Sequence, residues 1–385
     1  MGVIESKKKL GFGMMRMPLL EGASEDGDFA GVDLEQTKAM VDEFIARGFT
    51  YFDTARLYHN FKCEQVAREV LTSRYPRDAY TVAAKMHTLY FKKDKTAENV
   101  FRTDLVNLGI DYIDYYLVHD VGHDNYKFFE ENGAFECCVK MKKEGLVKHI
   151  GFSCHDTAEF IDRVLTEHPE MEFVQIQLNY LDWNSAGINS HACYDVITKH
   201  GKEVIVMEPV KGGTLANVPP EVERLFKTAD ADSSVASWAI RFAASHENVK
   251  MVLSGMSSME QMKDNLATME NFKALTDEEF SLIEKAVAKI NESIEIACTA
   301  CRYCVDGCPM NIPIPNYFSL YNTQKQKLRE EPDAEWTPEM EYFERLTTTK
   351  GKPSDCIGCG SCEGICPQHL PIIDDLKKVS ELMEK

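Results

Sequence analysis

An α/β barrel of eight strand–helix units followed by a small all-helical module is the fold class this sequence predicts. Three observations carry it. Eight short β-rich runs alternate with amphipathic, helix-length segments from the start of the chain to about residue 290. Near Ile296 that alternation stops, and helical segments punctuated by proline take over. Within this second part, eight of the thirteen cysteines fall into two copies of one rule, C-x-x-C-x-x-C-x-x-x-C-P. The expected division is 1–290 for the barrel and 291–385 for the module.

From the N-terminus the β-rich runs are Leu10–Met14, Thr50–Asp53, Tyr80–Lys85, Asp114–His119, His149–Ser153, Phe173–Gln177, Glu203–Glu208 and Lys250–Ser254. Apolar residues recur at three- and four-residue spacing between them. Leu34–Arg47 gathers Met40, Val41, Phe44 and Ile45 on one face. Thr96–Leu108 does so with Val100, Leu105 and Leu108, and Ser233–Ala244 with Val235, Trp238, Ala239 and Phe242. Asp156 or Thr157 is placed to cap a helix Ala158–Leu165. Eight such units favour a closed TIM barrel over an open sheet, and right-handed crossovers make each strand parallel to the next. Glu21–Gly31 reads as a loose loop. Beyond Ile296, Asn311–Asp355 separates the cysteine runs by more than a compact module needs. Asn316–Glu331 and Thr337–Leu346 read as helices, with Phe318, Leu320, Tyr321 and Leu328 on one side of the first, and Pro371–Lys385 as a terminal helix.

The 385 residues are 44% hydrophobic and 27% charged, ordinary proportions for a globular protein. Against 43 basic residues stand 62 acidic ones; the formal charge of −19 argues against a nucleic-acid or anionic-membrane surface. No apolar run reaches the ~18 residues of a membrane span. Without an export signal, thirteen cysteines point to the reducing cytoplasm, where thiols remain available to metal.

The first cysteine run is Cys298, Cys301, Cys304 and Cys308, then Pro309; the second is Cys356, Cys359, Cys362 and Cys366, then Pro367. This is the ligand spacing of a two-cluster bacterial ferredoxin, in which the fourth cysteine of each run serves the other cluster. The expected sets are Cys298, Cys301, Cys304 with Cys366, and Cys356, Cys359, Cys362 with Cys308, holding two 4Fe–4S clusters. Zinc is the rival, but zinc sites pair two C-x-x-C knuckles and need neither a third cysteine nor a trailing proline. Cys63, Cys137, Cys138, Cys154 and Cys193 read as buried thiols.

Active groups of a TIM barrel stand where strands end and βα loops begin. Asp53, Tyr58, Lys85 and His119 fall at such places on three consecutive strands. Taken singly, each has an ordinary reading: a helix cap, a loop aromatic, a solvated lysine, a core imidazole. Together they can converge on one cavity.

Leu-Gly-Phe-Gly-Met-Met-Arg at the first strand, Phe-Asp-Thr-Ala-x-x-Tyr with Asp53 and Tyr58, and Lys85 and His119 in order resemble the aldo-keto reductase family over about Leu10 to Leu275. The appended cysteine runs resemble its branch with a C-terminal ferredoxin domain. The resemblance implies that Ser153 and Gln175 hold a nicotinamide carboxamide and that Met207 lies against the ring, where an aromatic often stands. Gly212 and Gly213, with Gly255, Ser257 and Ser258 before a helix, are placed to admit a pyrophosphate to backbone donors. Asn265 matches the group that grips a 2′-phosphate, whereas Gly255 and Gln261 stand where lysine or arginine is common, and Cys154 replaces a frequent asparagine. NADP(H) and NAD(H) both remain open, and so does a flavin. No G-x-G-x-x-G follows a strand, so no Rossmann domain is expected.

The mechanism this implies is proton donation by Tyr58 to the oxygen of a carbonyl whose carbon receives hydride, with Lys85 as the neighbouring cation that a weakly acidic phenol needs, Asp53 orienting it, and His119 donating to the oxygen or sharing the proton relay. The leading expectation is an iron–sulfur oxidoreductase acting on a small aldehyde, ketone or alcohol, with a redox partner protein for the clusters. The competing one is an electron-transfer or flavin-linked protein whose barrel is not a carbonyl reductase. In a third, the clusters are structural.

Overall fold

The computed structural model describes the chain apart from residues 1, 5, 7, 24–30, 292–294, 297, 299–301, 331, 333, 335, 367 and 385; of residues 306, 329 and 330 the backbone alone is described. Most of the loop expected at Glu21–Gly31, Cys301 and Pro367 therefore lie outside the described residues.

Eight parallel strands close into a barrel in chain order. They are β1 (Leu10–Gly13), β2 (Tyr51–Asp53), β3 (Thr81–Met86), β4 (Ile113–Val118), β5 (Val147–Cys154), β6 (Phe173–Gln177), β7 (Glu203–Met207) and β8 (Val249–Gly255). β1 pairs with both β2 and β8, so no edge is left open. Five of the helices that follow the strands begin on side-chain caps: Asp33, Thr96, Thr157, Ser234 and Ser258 each accept a backbone N–H from the first turn, a device worth ~1 kcal/mol apiece. Of the two residues expected to cap Ala158–Glu167, it is Thr157 that does so.

Two apolar layers build the barrel. Between sheet and helices lies a large core that includes Phe12, Phe44, Phe52, Val100, Phe101 and Trp238. Inside the sheet is a smaller one of Tyr51, Tyr115, Leu117, Phe173, Ile205 and Met251, against which Val3 and Ile4 pack. The backbone N–H groups of Val3 and Ile4 donate to the Glu203 carboxylate at 2.9 and 2.8 Å, plugging the end where the strands begin.

Helices Ile314–Glu330, Pro338–Thr349 and Ile372–Met383 enclose a separate core around Tyr317, Phe318, Leu320, Phe343, Leu376 and Val379. Ile290 belongs to the barrel core and Ile296 to this one. The module sits on the loops at the strands' C-terminal ends. Arg345 reaches Asp120 after β4, Asn316 donates to Ala186 O after β6, and Glu339 pairs with Lys211 after β7. Among the described residues no helix is long and apolar enough to cross a membrane.

Candidate functional site

Strand parity decides which side chains reach the barrel mouth. Residues two apart on a strand share a face, and the interior is lined by Tyr51, Ala83, Leu117, Phe173, Ile205 and Leu253. Two residues further along each of these strands stand Asp53, Lys85, His119, Gln175, Met207 and Gly255. Ser153 on β5 is in register with Gln175. Seven of the residues singled out from sequence thus share one face of the sheet at one end.

Lys85 is fully buried. Its Nζ donates to Asp53 Oδ2 at 2.5 Å and to Thr54 O at 2.8 Å. Burial outweighs the pull of Lys85 and leaves the Asp53 carboxyl above its ordinary range. Removing one member of such a pair strands the other charge, which costs about 3–5 kcal/mol. The Tyr58 ring lies with Lys85 Nζ 5.3 Å from its centroid and meets the His119 ring edge-on at 6.0 Å. Burial, then Asp53, hold the Tyr58 phenol well above its usual value. This runs opposite to the easier proton loss expected beside a cation, because burial disfavours the charged phenolate and the Asp53 charge adds to that. The phenol therefore keeps its proton and is a neutral donor. Burial, then Lys85 and His87, hold the His119 imidazole well below its ordinary range. It too is neutral, and its buried Nδ1 has no hydrogen-bond partner among the described residues.

The loop bearing Tyr58 is strained and braced. His59, Asn60 and Phe61 all take left-handed backbone, with φ of 50°, 50° and 63°, a conformation costing roughly 1–2 kcal/mol for each side-chain-bearing residue. Arg56 anchors the loop, donating from Nε to Asp104 Oδ1 at 2.9 Å, from Nη1 to Asp94 Oδ2 at 2.5 Å and from Nη2 to Val100 O at 2.8 Å. The Tyr90 hydroxyl accepts from Leu57 N at 2.8 Å. Such strain persists only where surrounding contacts over-determine it.

The positions expected to meet a cofactor are grouped less tightly. Gln175 Nε2 donates to Met207 Sδ at 3.5 Å, and its buried Oε1 has no partner among the described residues. Ser153 Oγ accepts from Asp120 N at 2.8 Å, leaving its own proton to donate. Gln175 and Ser153 together therefore offer an acceptor and a donor that suit a carboxamide. Gly212 and Gly213 are left-handed (φ 61° and 106°), yet the Gly213 N–H is spent on Val210 O, and Ser257 N is spent on Gln261 Oε1. Cations stand there instead of those backbone donors. A β-carbon at Gly212 would meet Lys327 Nζ at 2.9 Å and Arg16 Nη2 at 3.5 Å, with Glu208 Oε2 also at 3.5 Å. Asn265 Nδ2 donates to Ser254 Oγ at 2.7 Å inside the protein.

Two cavities in the C-terminal module are walled by its cysteines. One is lined by Cys308, Cys356, Cys359 and Cys362; the other by Cys298, Cys304 and Cys366. Each combines the last cysteine of one run with cysteines of the other. Gly358 and Gly360, at φ of 66° and 76°, turn the chain between Cys356, Cys359 and Cys362. Ile312, Ile314, Leu376 and Phe318 supply apolar walls. Thiolates around an apolar cavity are the donor set that iron–sulfur clusters use, so the residues present fit two such groups. Cys63, Cys137, Cys138, Cys154 and Cys193 are buried elsewhere.

Sequence reasoning passed over Arg56, Asp120, Glu341 and Arg345. Glu341 and Arg345 pair at i, i+4 spacing on one helix, a signal the sequence offered. The links from Arg56 to Asp94 and Asp104, and from Arg345 to Asp120, span tens to hundreds of residues and leave no local mark.

The model of the aldo/keto reductase family matches residues 9–288, and that of the 4Fe-4S dicluster domain matches residues 297–370. L-galactose dehydrogenase of Arabidopsis thaliana is 25% identical over 284 residues, 68% of this chain and 87% of that protein. An aldo-keto reductase of Mycolicibacterium vanbaalenii is 28% identical over 62% of this chain and 79% of its own length. Among solved structures, the aldo-keto reductase AKR11C1 of Bacillus halodurans in its holo form superposes with a TM-score of 0.57 at 25% identity, covering 72% of this chain and 91% of that one. An aldo-keto reductase of Klebsiella pneumoniae solved with NADPH shares the fold, with a TM-score of 0.58 at 20% identity over 72% of this chain and 90% of that one.

Proposed function

Because this chain belongs to the aldo/keto reductase family and carries a 4Fe-4S dicluster domain, we propose that residues 1–290 form a reductase unit that converts a small aldehyde or ketone to its alcohol with NADPH or NADH, or runs the reverse reaction. Residues 291–385 form an electron-transfer unit beside it. The observation that carries this reading is the joining of Asp53, Lys85, Tyr58 and His119 at one barrel mouth, through the 2.5 Å ion pair and the 6.0 Å ring contact.

A bound nicotinamide supplies a hydride. The protein's own share is to hold the acceptor and manage the proton. Gln175 Oε1 and Ser153 Oγ would hold the carboxamide, with Met207 beside them. Arg16 and Lys327 near Gly212 are placed to meet a pyrophosphate. His119 orients the substrate oxygen through its N–H, and Tyr58 passes its hydroxyl proton to that oxygen as charge develops there. Lys85, fixed by Asp53, stabilises the phenolate left behind until solvent returns the proton. The eight cysteines would hold two clusters, each exchanging one electron with a redox partner protein, in a reducing compartment such as the cytoplasm.

A flavin-linked electron-transfer role is the competing reading. It is favoured by Gly213 and Ser257, whose N–H groups are engaged rather than open to a dinucleotide. Anaerobically purified protein should contain little or no flavin and should bind NADPH or NADH in calorimetry; stoichiometric flavin without nicotinamide binding would reverse the choice. The electrostatics make a further expectation. Since burial keeps His119 neutral, kcat should not fall as pH drops from about 8 to about 6, across the ordinary histidine value of about 6.5. A loss of turnover with an apparent pKa near that value would show that His119 becomes charged in the working range.

A further inference from the structure

Arg345 lies on the helix Pro338–Thr349 of the cluster-bearing module, yet its side chain ends in the barrel, 2% exposed. Its Nη2 donates to Asp120 Oδ1 at 2.7 Å and to Asp120 O at 3.0 Å, and its Nε to Asp124 Oδ1 at 3.1 Å. Glu341, one turn earlier, accepts from the same Nη2 at 2.7 Å and holds the guanidinium from its own helix. Asp120 directly follows His119 and takes left-handed backbone at φ 62°, a conformation uncommon outside glycine and needing outside support. The turn is also held by Ser153, whose Oγ takes the Asp120 N–H, and by Asn125, whose Nδ2 donates to Asp120 O at 2.7 Å. The barrel also leaves room for the arginine. A β-carbon at Gly122 would come within 2.2 Å of Arg345 Nε and 2.6 Å of its Cζ.

We propose that Arg345 is a positioning residue for the barrel's reaction: it clamps the left-handed turn at Asp120 and thereby fixes His119, so that the catalytic face is completed by the cluster-bearing module. The inference rests on the reductase reading above, with His119 as a donor to the substrate oxygen. A planar guanidinium bonding both the main-chain and side-chain oxygens of one residue locks that residue's orientation, which a lysine's single ammonium does not do. The imidazole one residue away inherits that orientation. The chain thereby ties the competence of one domain to the docking of the other, across 225 residues of sequence.

Two substitutions in the anaerobic, cluster-loaded full chain test this. Arg345→Ala removes the clamp. Gly122→Ala keeps the guanidinium but pushes it aside, at a glycine whose φ is not in the left-handed region, and it decides the matter should the first variant fail to fold. Both should lower kcat, by roughly a hundredfold for Arg345→Ala, while the affinity for the nicotinamide stays within about threefold, since a displaced donor is felt at the chemical step. Amide exchange, followed by mass spectrometry, should speed up at Asp120 and Gly122, whose N–H groups are held by the side chains of Ser153 and Asn125. Unchanged kcat and unchanged exchange in a folded variant would overturn the proposal. If the wild type reduces no carbonyl with either nicotinamide, the reductase reading falls instead, and the exchange of these two amides alone judges the clamp.

Discussion

Tyr58→Phe is expected to lower kcat about a thousandfold while leaving nicotinamide affinity within about twofold, because the change deletes only the proton donated at the chemical step. Phenylalanine keeps the ring, so the contacts with Lys85 at 5.3 Å and His119 at 6.0 Å persist. Fold and cofactor site are then undisturbed, and the loss belongs to the hydroxyl. Its size follows from two contributions. A general acid contributes typically 10²–10⁴-fold, and a donor aimed at developing oxyanion charge about 10²–10³-fold; the two overlap in one group and do not multiply. Burial holds the phenol's proton on firmly, which sets the ground state from which donation starts. Single-turnover kinetics with a reducible aldehyde would measure the effect, and turnover close to wild type would remove Tyr58 from the mechanism.

Loss of a cluster is the second large effect. The wild type should hold about eight iron and eight labile sulfide atoms, and Cys308→Ala or Cys304→Ala alone should leave about four of each. Double variants then reveal how the ligands are shared. Cys308 lines the cavity of Cys356, Cys359 and Cys362, and Cys304 lines that of Cys298 and Cys366. Cys308→Ala combined with Cys359→Ala should therefore cost no more iron than either change alone, while Cys308→Ala combined with Cys304→Ala should remove nearly all of it. Run-by-run ligation gives the reverse pattern, and iron and sulfide assays on anaerobically reconstituted protein separate the two. Zinc in place of labile sulfide would overturn the cluster assignment itself.

Much of this architecture is written locally. The strand runs at Tyr80–Lys85 and Phe173–Gln177 and the helix at Thr96–Leu108 could be read because hydrophobic periodicity and caps act within a few residues. The observed elements, Thr81–Met86, Phe173–Gln177 and Ala97–Leu108, differ from these by a residue at most. The cysteine rule is also local, since two-residue gaps must wrap one cluster corner after another. Asp53, Lys85 and His119 could be nominated because strand ends in a barrel have a known face.

Tertiary structure decided the rest. The direction of the Tyr58 shift depends on burial and on the nearby Asp53 charge, and neither is a property of sequence spacing. The bracing of the Tyr58 loop by Arg56 through Asp94 and Asp104 requires three segments to meet. The clamp of Arg345 on Asp120 joins residues 225 apart. Its value comes from a low-dielectric seam between domains, where charged groups bonded to one another hold one geometry and breaking them apart is expensive. Periodicity, capping and metal spacing are short-range and survive in a linear string. The electrostatics of a closed, buried seam exist only once the chain has folded around it.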